Sequence, residues 1–373
     1  MPSTILRRIA SHYLLTPQGF YSCPLITVDS TNRQTVKIEK YDNSLDFKEG
    51  VEFYSGIICQ GFVNAHCHSE LSYLHGAIPT QCGYASFASE MAAVRNNYTE
   101  QQRLAAIMQA DSCMWQEGID AVADIVNDNS SFAVKQQSAI FYHSFAEVFG
   151  LKKSNIELCN SLVNNPNTTL TPHSVYSVQE SDFKSVCRSG DYPLSIHFKE
   201  SEGEELLFKG EGPLAEWYSK VGFQCDFLHH KSPSRRIVDS IPAQRSVMLV
   251  HNCHITQEDI DTIMGHFTAP VYWVLCPRSN RYISGKITEA VNLLRKNNLT
   301  ICIGTDSLAS NHSLSILEEL KCFDSIPLEE LLRWATINGA KALDFHPKGL
   351  INISGVDLKN MKLTSDSQIK RVL

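Results

Sequence analysis

The chain has 373 residues, 43% of them hydrophobic, with a formal net charge of −7 and a pI near 6.1. That balance, with no run of Lys or Arg, excludes a nucleic-acid-coating surface, and no stretch reaches the ~18 consecutive apolar residues of a membrane span. The twelve cysteines are scattered singly with no Cys-x-x-Cys spacing, which reads as packed thiols in a reducing, cytoplasmic setting rather than a disulfide framework.

Residues 1–18 hold only the short apolar run Tyr13-Leu14-Leu15, too weak for a secretion signal. Leu25-Ile26-Thr27-Val28 and Thr35-Val36-Lys37-Ile38-Glu39 alternate as half-exposed strands do, and Val356-Asp357-Leu358 and Met361-Lys362-Leu363 show the same pattern near the other end. The expectation is a small β-sandwich formed from both termini, residues 1–56 plus 346–373.

Between the ends, short apolar runs alternate with amphipathic stretches. Strands are predicted at 56–64, 119–124, 140–147, 168–171, 193–197, 246–251, 271–276 and 299–304. Helices are predicted at 100–117, 256–264 and 314–323, with Thr256 and Asp259 spaced as a cap. Eight strands separated by helices predict an α/β fold, a distorted (β/α)8 barrel over residues 57–345, with a doubly wound sheet as the other arrangement of such a pattern.

Reactive groups of a barrel sit at the C-terminal ends of its strands. Here the first strand runs into His66-Cys67-His68, the fourth into His173, the fifth into His197 and Glu200, the sixth into His251, the seventh into Arg278 and Asn280, and the eighth into Asp306. Period-2 geometry puts His66 and His68 on one side of an extended backbone and Cys67 on the other, so Cys67 is expected to pack rather than to ligate. Two imidazoles so placed form half of a metal site. Alone, His251 would read as a core histidine, Asp306 as a helix cap and Glu200 as one of several solvated acids beside Glu202, Glu204 and Glu205; only the joint arrangement points to a centre. His12, His75, His143, His229, His230, His254, His266, His312 and His346 fit no strand-end pattern, His312 being the one expected nearest a pocket.

The motifs Gly61-Phe62-Val63-Asn64-Ala65-His66-Cys67-His68, Thr171-Pro172-His173-Ser174-Val175-Tyr176, His197-Phe198-Lys199-Glu200, His251-Asn252, Cys276-Pro277-Arg278-Ser279-Asn280 and Gly304-Thr305-Asp306, in this order, resemble the amidohydrolase superfamily, in its cytosine-deaminase-like and chlorohydrolase-related branch. The resemblance implies a barrel with a terminal β-sandwich. It implies His66, His68, His197 and Asp306 as metal ligands, Glu200 as proton shuttle, His251 as the group facing the attacking oxygen and His173 as a substrate contact, with Asp306 also accepting a hydrogen bond from the water. Glu70, Tyr176, Arg278 and Asn280 are further candidate substrate contacts, Glu70 equally a structural residue. No lysine follows the fourth strand to bridge a metal pair, so one divalent ion is expected; three imidazoles and a carboxylate suit Zn²⁺, with Fe²⁺ or Mn²⁺ compatible by ligand type.

Addition of water to an aromatic ring carbon requires protonation of the neighbouring ring nitrogen, and a Glu three residues beyond a ligand His supplies that acid. The expected reaction is therefore hydrolytic deamination of a small purine-nucleoside-like heterocycle. A chlorohydrolase or cyclic-amide hydrolase on the same site is the enzymatic alternative, and a non-catalytic binding paralogue the third reading. A homodimer is compatible with the resemblance. Lys199, between His197 and Glu200, and a short C-terminal region depart from the family's usual pattern.

Overall fold

The computed structural model describes residues 6–31, 34–41 and 50–373. The N-terminal alternation forms β1 (Leu6–Thr16), β2 (Gly19–Ser22), β3 (Pro24–Asp29) and β4 (Gln34–Lys40); β2 and β3 both pair antiparallel with β1, and β4 pairs with β3. β5 (Val51–Gln60) then runs parallel to β1. At Gly56 the backbone adopts φ +117°, and a Cβ there would lie 2.0 Å from the Ile353 carbonyl oxygen, so only glycine fits.

The interior strand predicted at 56–64 is in fact two. Residues through Gln60 belong to the terminal sheet, and β6 (Phe62–Cys67) opens the first parallel sheet. The break falls at Gly61, where a Cβ would meet the Asp120 carboxyl carbon at 2.2 Å; the absent side chain lets Asp120 pack against the crossing.

β6 continues into a parallel sheet with β7 (Ile119–Val126), β8 (Phe141–Val148) and β9 (Thr168–Pro172). A second parallel sheet holds β10 (Leu194–Phe198), β11 (Val247–His251), β12 (Val271–Leu275) and β13 (Thr300–Ile303). Both are buried almost throughout, as parallel strands covered on both faces must be, and their apolar runs made them readable within a residue or two. Isolated parallel bridges join Ser174 to His197 and Cys67 to Asp306, one at each seam between the sheets.

The predicted helices form at Glu100–Gln116, Gln257–Met264 and, shortened, Ile316–Leu320. Thr256 caps its helix as expected, accepting from the Asp259 backbone while the Asp259 carboxylate accepts from the Thr256 N–H at 3.0 Å. No helix among the described residues is long and apolar enough to cross a membrane.

β14 (Leu350–Ser354) and β15 (Gln368–Arg371) return to the terminal sheet, whose order is β15-β14-β5-β1-β3-β4 with β2 on β1. The C-terminal alternation predicted at 356–363 is not a strand pair: it holds a single bridge, Asp357 to Lys362, and the strands lie on either side of it. Arg371 fastens this end to the parallel sheets. Its guanidinium reaches Asp120 Oδ1 at 2.7 Å and the Ile119 carbonyl at 2.7 Å, and it lies 3.3 Å from the centroid of the Trp115 ring. Arg371→Ala is expected to lower unfolding free energy by about 3 kcal/mol, because it takes the cation from a largely buried pair. In the same urea titration, Lys37→Ala on exposed β4 is expected to change it by less than about 0.5 kcal/mol.

Candidate metal centre

The pleat of β6 delivers both imidazoles to one side: the Nε2 atoms of His66 and His68 are 3.1 Å apart. β10 brings His197 Nε2 to 3.3 Å from His68 Nε2, and Asp306, just beyond β13, places Oδ1 at 3.6 Å from the same nitrogen. A tetrahedral ion bound at about 2.0–2.1 Å has ligand-to-ligand edges of about 3.3 Å. The ligand atoms of His66, His197 and His251 also lie within 4.8 Å of one another, as do those of His66, His68 and Asp306. Cys67 is buried, pairs in register with Asp124 of β7, and joins no such group among the described residues.

Hydrogen bonds around the cluster aim these atoms. His197 Nδ1 donates to the His173 carbonyl at 2.9 Å, which leaves Nε2 with its lone pair on the cluster side. Asp306 Oδ2 accepts from Ser279 Oγ at 2.6 Å and Ser310 Oγ at 2.8 Å, freeing Oδ1 to face His68. The backbone N–H groups of Thr305 and Asp306 donate to the His66 carbonyl, and Asn64 bonds Thr305 through side chain and backbone, so the first and last parallel strands are locked together at the site. Gly304 allows that approach, since a Cβ there would sit 2.8 Å from His66 Cβ. Lys199, His251, Asn252 and Asp306 all have positive φ, between 53° and 74°. Non-glycine residues in this region are strained and concentrate where side chains must be aimed.

The electrostatics favour ligation. Burial, reinforced by neighbouring imidazoles, pushes His66 and His197 well below the usual histidine range; burial also lowers His68 and His251, and takes His173 down to about 3. The rings are therefore neutral, the form that ligates a metal. His66 Nδ1 and His251 Nε2 are buried without a hydrogen-bond partner. Neutral imidazoles with converging lone pairs, a carboxylate and orphaned buried nitrogens fit a divalent cation.

Glu200 stands beside this group. Its Oε1 is 3.7 Å from His251 Nε2, and burial, then the charge of Asp306, pushes its carboxyl well above the usual range. Glu204, read from sequence as a solvated acid, is fully buried and caps the turn, its carboxylate accepting from the N–H groups of Lys199, Glu200 and Ser201. Lys199 pairs its ammonium with Glu205 at 2.7 Å and Asp259 at 3.2 Å, so the residue that departed from the family pattern is a strut.

The candidate substrate contacts divide. His173 stacks on His197 with ring centroids 4.5 Å apart, and Tyr176 is buried with its hydroxyl 2.5 Å from that of Tyr84, which the sequence reading did not single out. Asn280 Oδ1 accepts from His251 Nδ1 at 3.0 Å and so orients that ring. Glu70 is occupied: its carboxyl accepts from Asn127 N and Ser131 Oγ, and burial pushes it up to about 8. Arg278 bonds Asn311 and Glu318 and lines a separate cavity of about 250 Å³ with Arg281, Tyr282 and His312. Glu147, Ser279 and Ser310 were missed. Glu147 Oε1 is buried 3.5 Å from His197 Nδ1, near the end of β8.

The amidohydrolase family model matches residues 57–353. An adenosine deaminase of Helicobacter pylori is 28% identical over 348 residues, 86% of this chain and 83% of that protein. The crystal structure of H. pylori aminofutalosine deaminase superposes with a TM-score of 0.78 at 21% identity, covering 99% of this chain and 100% of that one. An adenosine deaminase from Xanthomonas campestris, solved with bound zinc, gives a TM-score of 0.71 at 19% identity over 95% of this chain and 86% of its own. At these identities the solved structures speak for the fold alone. The family match across most of the chain, on motifs that the fold gathers into one metal-binding cluster, places this protein in the amidohydrolase family.

Proposed function

We propose that this protein is a metal-dependent hydrolase that removes the exocyclic amino group of a small purine-nucleoside-like heterocycle. The observation that carries this reading is the buried carboxyl of Glu200 beside His251 at the edge of a four-ligand cluster. His66, His68, His197 and Asp306 would hold one divalent ion, Zn²⁺ by ligand type, and such an ion lowers the pKa of water from ~16 towards ~7.

The remaining work falls to side chains. Glu200 takes one proton from the incoming water and hands it to the ring nitrogen beside the carbon under attack. His251, its Nδ1 proton held on Asn280, presents Nε2 as an acceptor to that water and then donates back to the developing oxyanion. Glu200 then carries the second water proton from the added oxygen to the departing amine. Of the water's two hydrogens, one ends on the ring nitrogen and the other on ammonia, while its oxygen ends on carbon. His173, stacked on His197, would flank the heterocycle, with Tyr176 behind it. Asn280 serves this reading by orienting His251, while Glu70 is tied to Asn127 and Ser131 and Arg278 lines a different cavity.

The architecture we assign is a distorted (β/α)8 barrel at residues 57–345 with a β-sandwich at 1–56 plus 346–373. The bridges at both seams between the parallel sheets support closure, and the bulges between Ser11 and Tyr13 and between Thr27 and Val28 support folding of the terminal sheet on itself. Twelve free thiols support a cytoplasmic setting, and the acidic surface supports a small-molecule rather than a nucleic-acid partner.

Glu200→Gln is expected to keep about one equivalent of metal yet lose ~10²–10⁴-fold or more in turnover. The assay is ammonia release from adenosine, methylthioadenosine, S-adenosylhomocysteine, aminodeoxyfutalosine and guanine, with chlorotriazines scored for chloride. Silence on every amino-heterocycle would reject deamination, and chloride release alone would transfer the site to the chlorohydrolase reading. Ser279→Ala, which strips one donor from Asp306 Oδ2, is expected to weaken metal binding about 10-fold in a chelator competition. Unchanged affinity would remove Ser279 from the support of that ligand.

A further inference from the structure

Away from the centre, another group of metal-binding side chains gathers where the helix Glu180–Arg188 meets the short turn Leu228–His230 and the helix Pro233–Ser240. His230 Nε2 lies 2.9 Å and His229 Nε2 3.9 Å from the same atom, Oε1 of Glu180, and the three ligand atoms are within 4.8 Å of one another. The far nitrogen of each ring faces an oxygen. His229 Nδ1 is 3.1 Å from the Asp226 carbonyl, and His230 Nδ1 is 2.7 Å from Asp239 Oδ2. With those oxygens able to hold the Nδ1 protons, an ion can displace the proton by which His230 Nε2 now bonds Glu180 Oε1, and both Nε2 lone pairs and that carboxylate oxygen then face one point. A carboxylate or carbonyl behind a ligating imidazole is the usual outer partner of a metal-bound histidine.

We propose that Glu180, His229 and His230 form a second, peripheral site for a divalent transition-metal ion of the Zn²⁺ kind, independent of the reaction assigned above. Two imidazoles and one carboxylate select such an ion over Mg²⁺ or Ca²⁺, which prefer all-oxygen shells. The two cations nearby define its strength. Arg236 contacts the other carboxylate oxygen, Oε2, at 3.3 Å and leaves Oε1 to the ion. Lys184 sits on Oε1 itself at 2.6 Å, and its side chain is 37% exposed, so it competes for the position and can swing into solvent. Asp226 and Asp239, which also border the site, are acidic. Arg236 also donates to the carbonyls of Val175 and Val178, at 2.7 and 2.9 Å, which holds it in place behind Glu180.

The test is equilibrium dialysis of protein already carrying its first equivalent of zinc, titrated with Zn²⁺ and in parallel with Mg²⁺. Wild-type protein is expected to take up a second equivalent of Zn²⁺ and none of Mg²⁺. His229→Ala, whose side chain is 59% exposed and whose removal spares the fold, is expected to bind that equivalent at least about 10-fold more weakly while keeping the first. Lys184→Met is expected to bind it more tightly than wild type. No second equivalent, one equally strong in His229→Ala, or a Lys184→Met variant no tighter than wild type would each overturn the site.

Discussion

The architecture turns on a shortage of partners for lone pairs. Four imidazoles and two carboxyl groups are packed into one end of the parallel sheets, where each unsatisfied polar atom costs about 1–3 kcal/mol. Hydrogen bonds relieve one side of three of these groups, through the His173 carbonyl behind His197, Asn280 behind His251, and Ser279 with Ser310 behind Asp306. The other sides are left facing a common point. A cation at that point offsets the desolvation of all of them together, and this explains how a fold can tolerate so many titratable groups in its interior.

The scaffold meets this demand with rigid parts. Parallel strands end at one rim, so residues more than two hundred positions apart arrive side by side, as Asn64 and Thr305 do. Strained residues at the ends of β10 and β11 and just after β13 turn the last side chains inward. Glu204 and Lys199 then stiffen the turn beneath Glu200, so its carboxyl stands on a fixed base rather than on a free loop.

The sequence made the centre itself legible, because apolar strands announce their own ends and a histidine or aspartate there has few other reasons to be present. His66, His68, His197, His251 and Asp306 were found in that way. The supporting shell was not, and its residues share a property: Ser279, Ser310, Glu147 and Tyr84 matter through partners distant in the chain, which no local pattern encodes. Gly61 was hidden for a different reason, since an uninterrupted apolar run looks the same whether it crosses between sheets or not. Alternation also misled at 356–363, where side chains of a turn happen to alternate, and Arg278, chosen for its charge, is bonded to Glu318 and Asn311.

The order of strands in the terminal sheet bears on how the molecule is made. β5 lies between β1 and β14, and β14 begins at Leu350. During synthesis one edge of β5 therefore stays open until Leu350–Ser354 has left the ribosome, about 290 residues later, and an open edge invites pairing with the wrong strand. Nascent chains released before β14 would carry that exposed edge, which makes interrupted translation a route to aggregation.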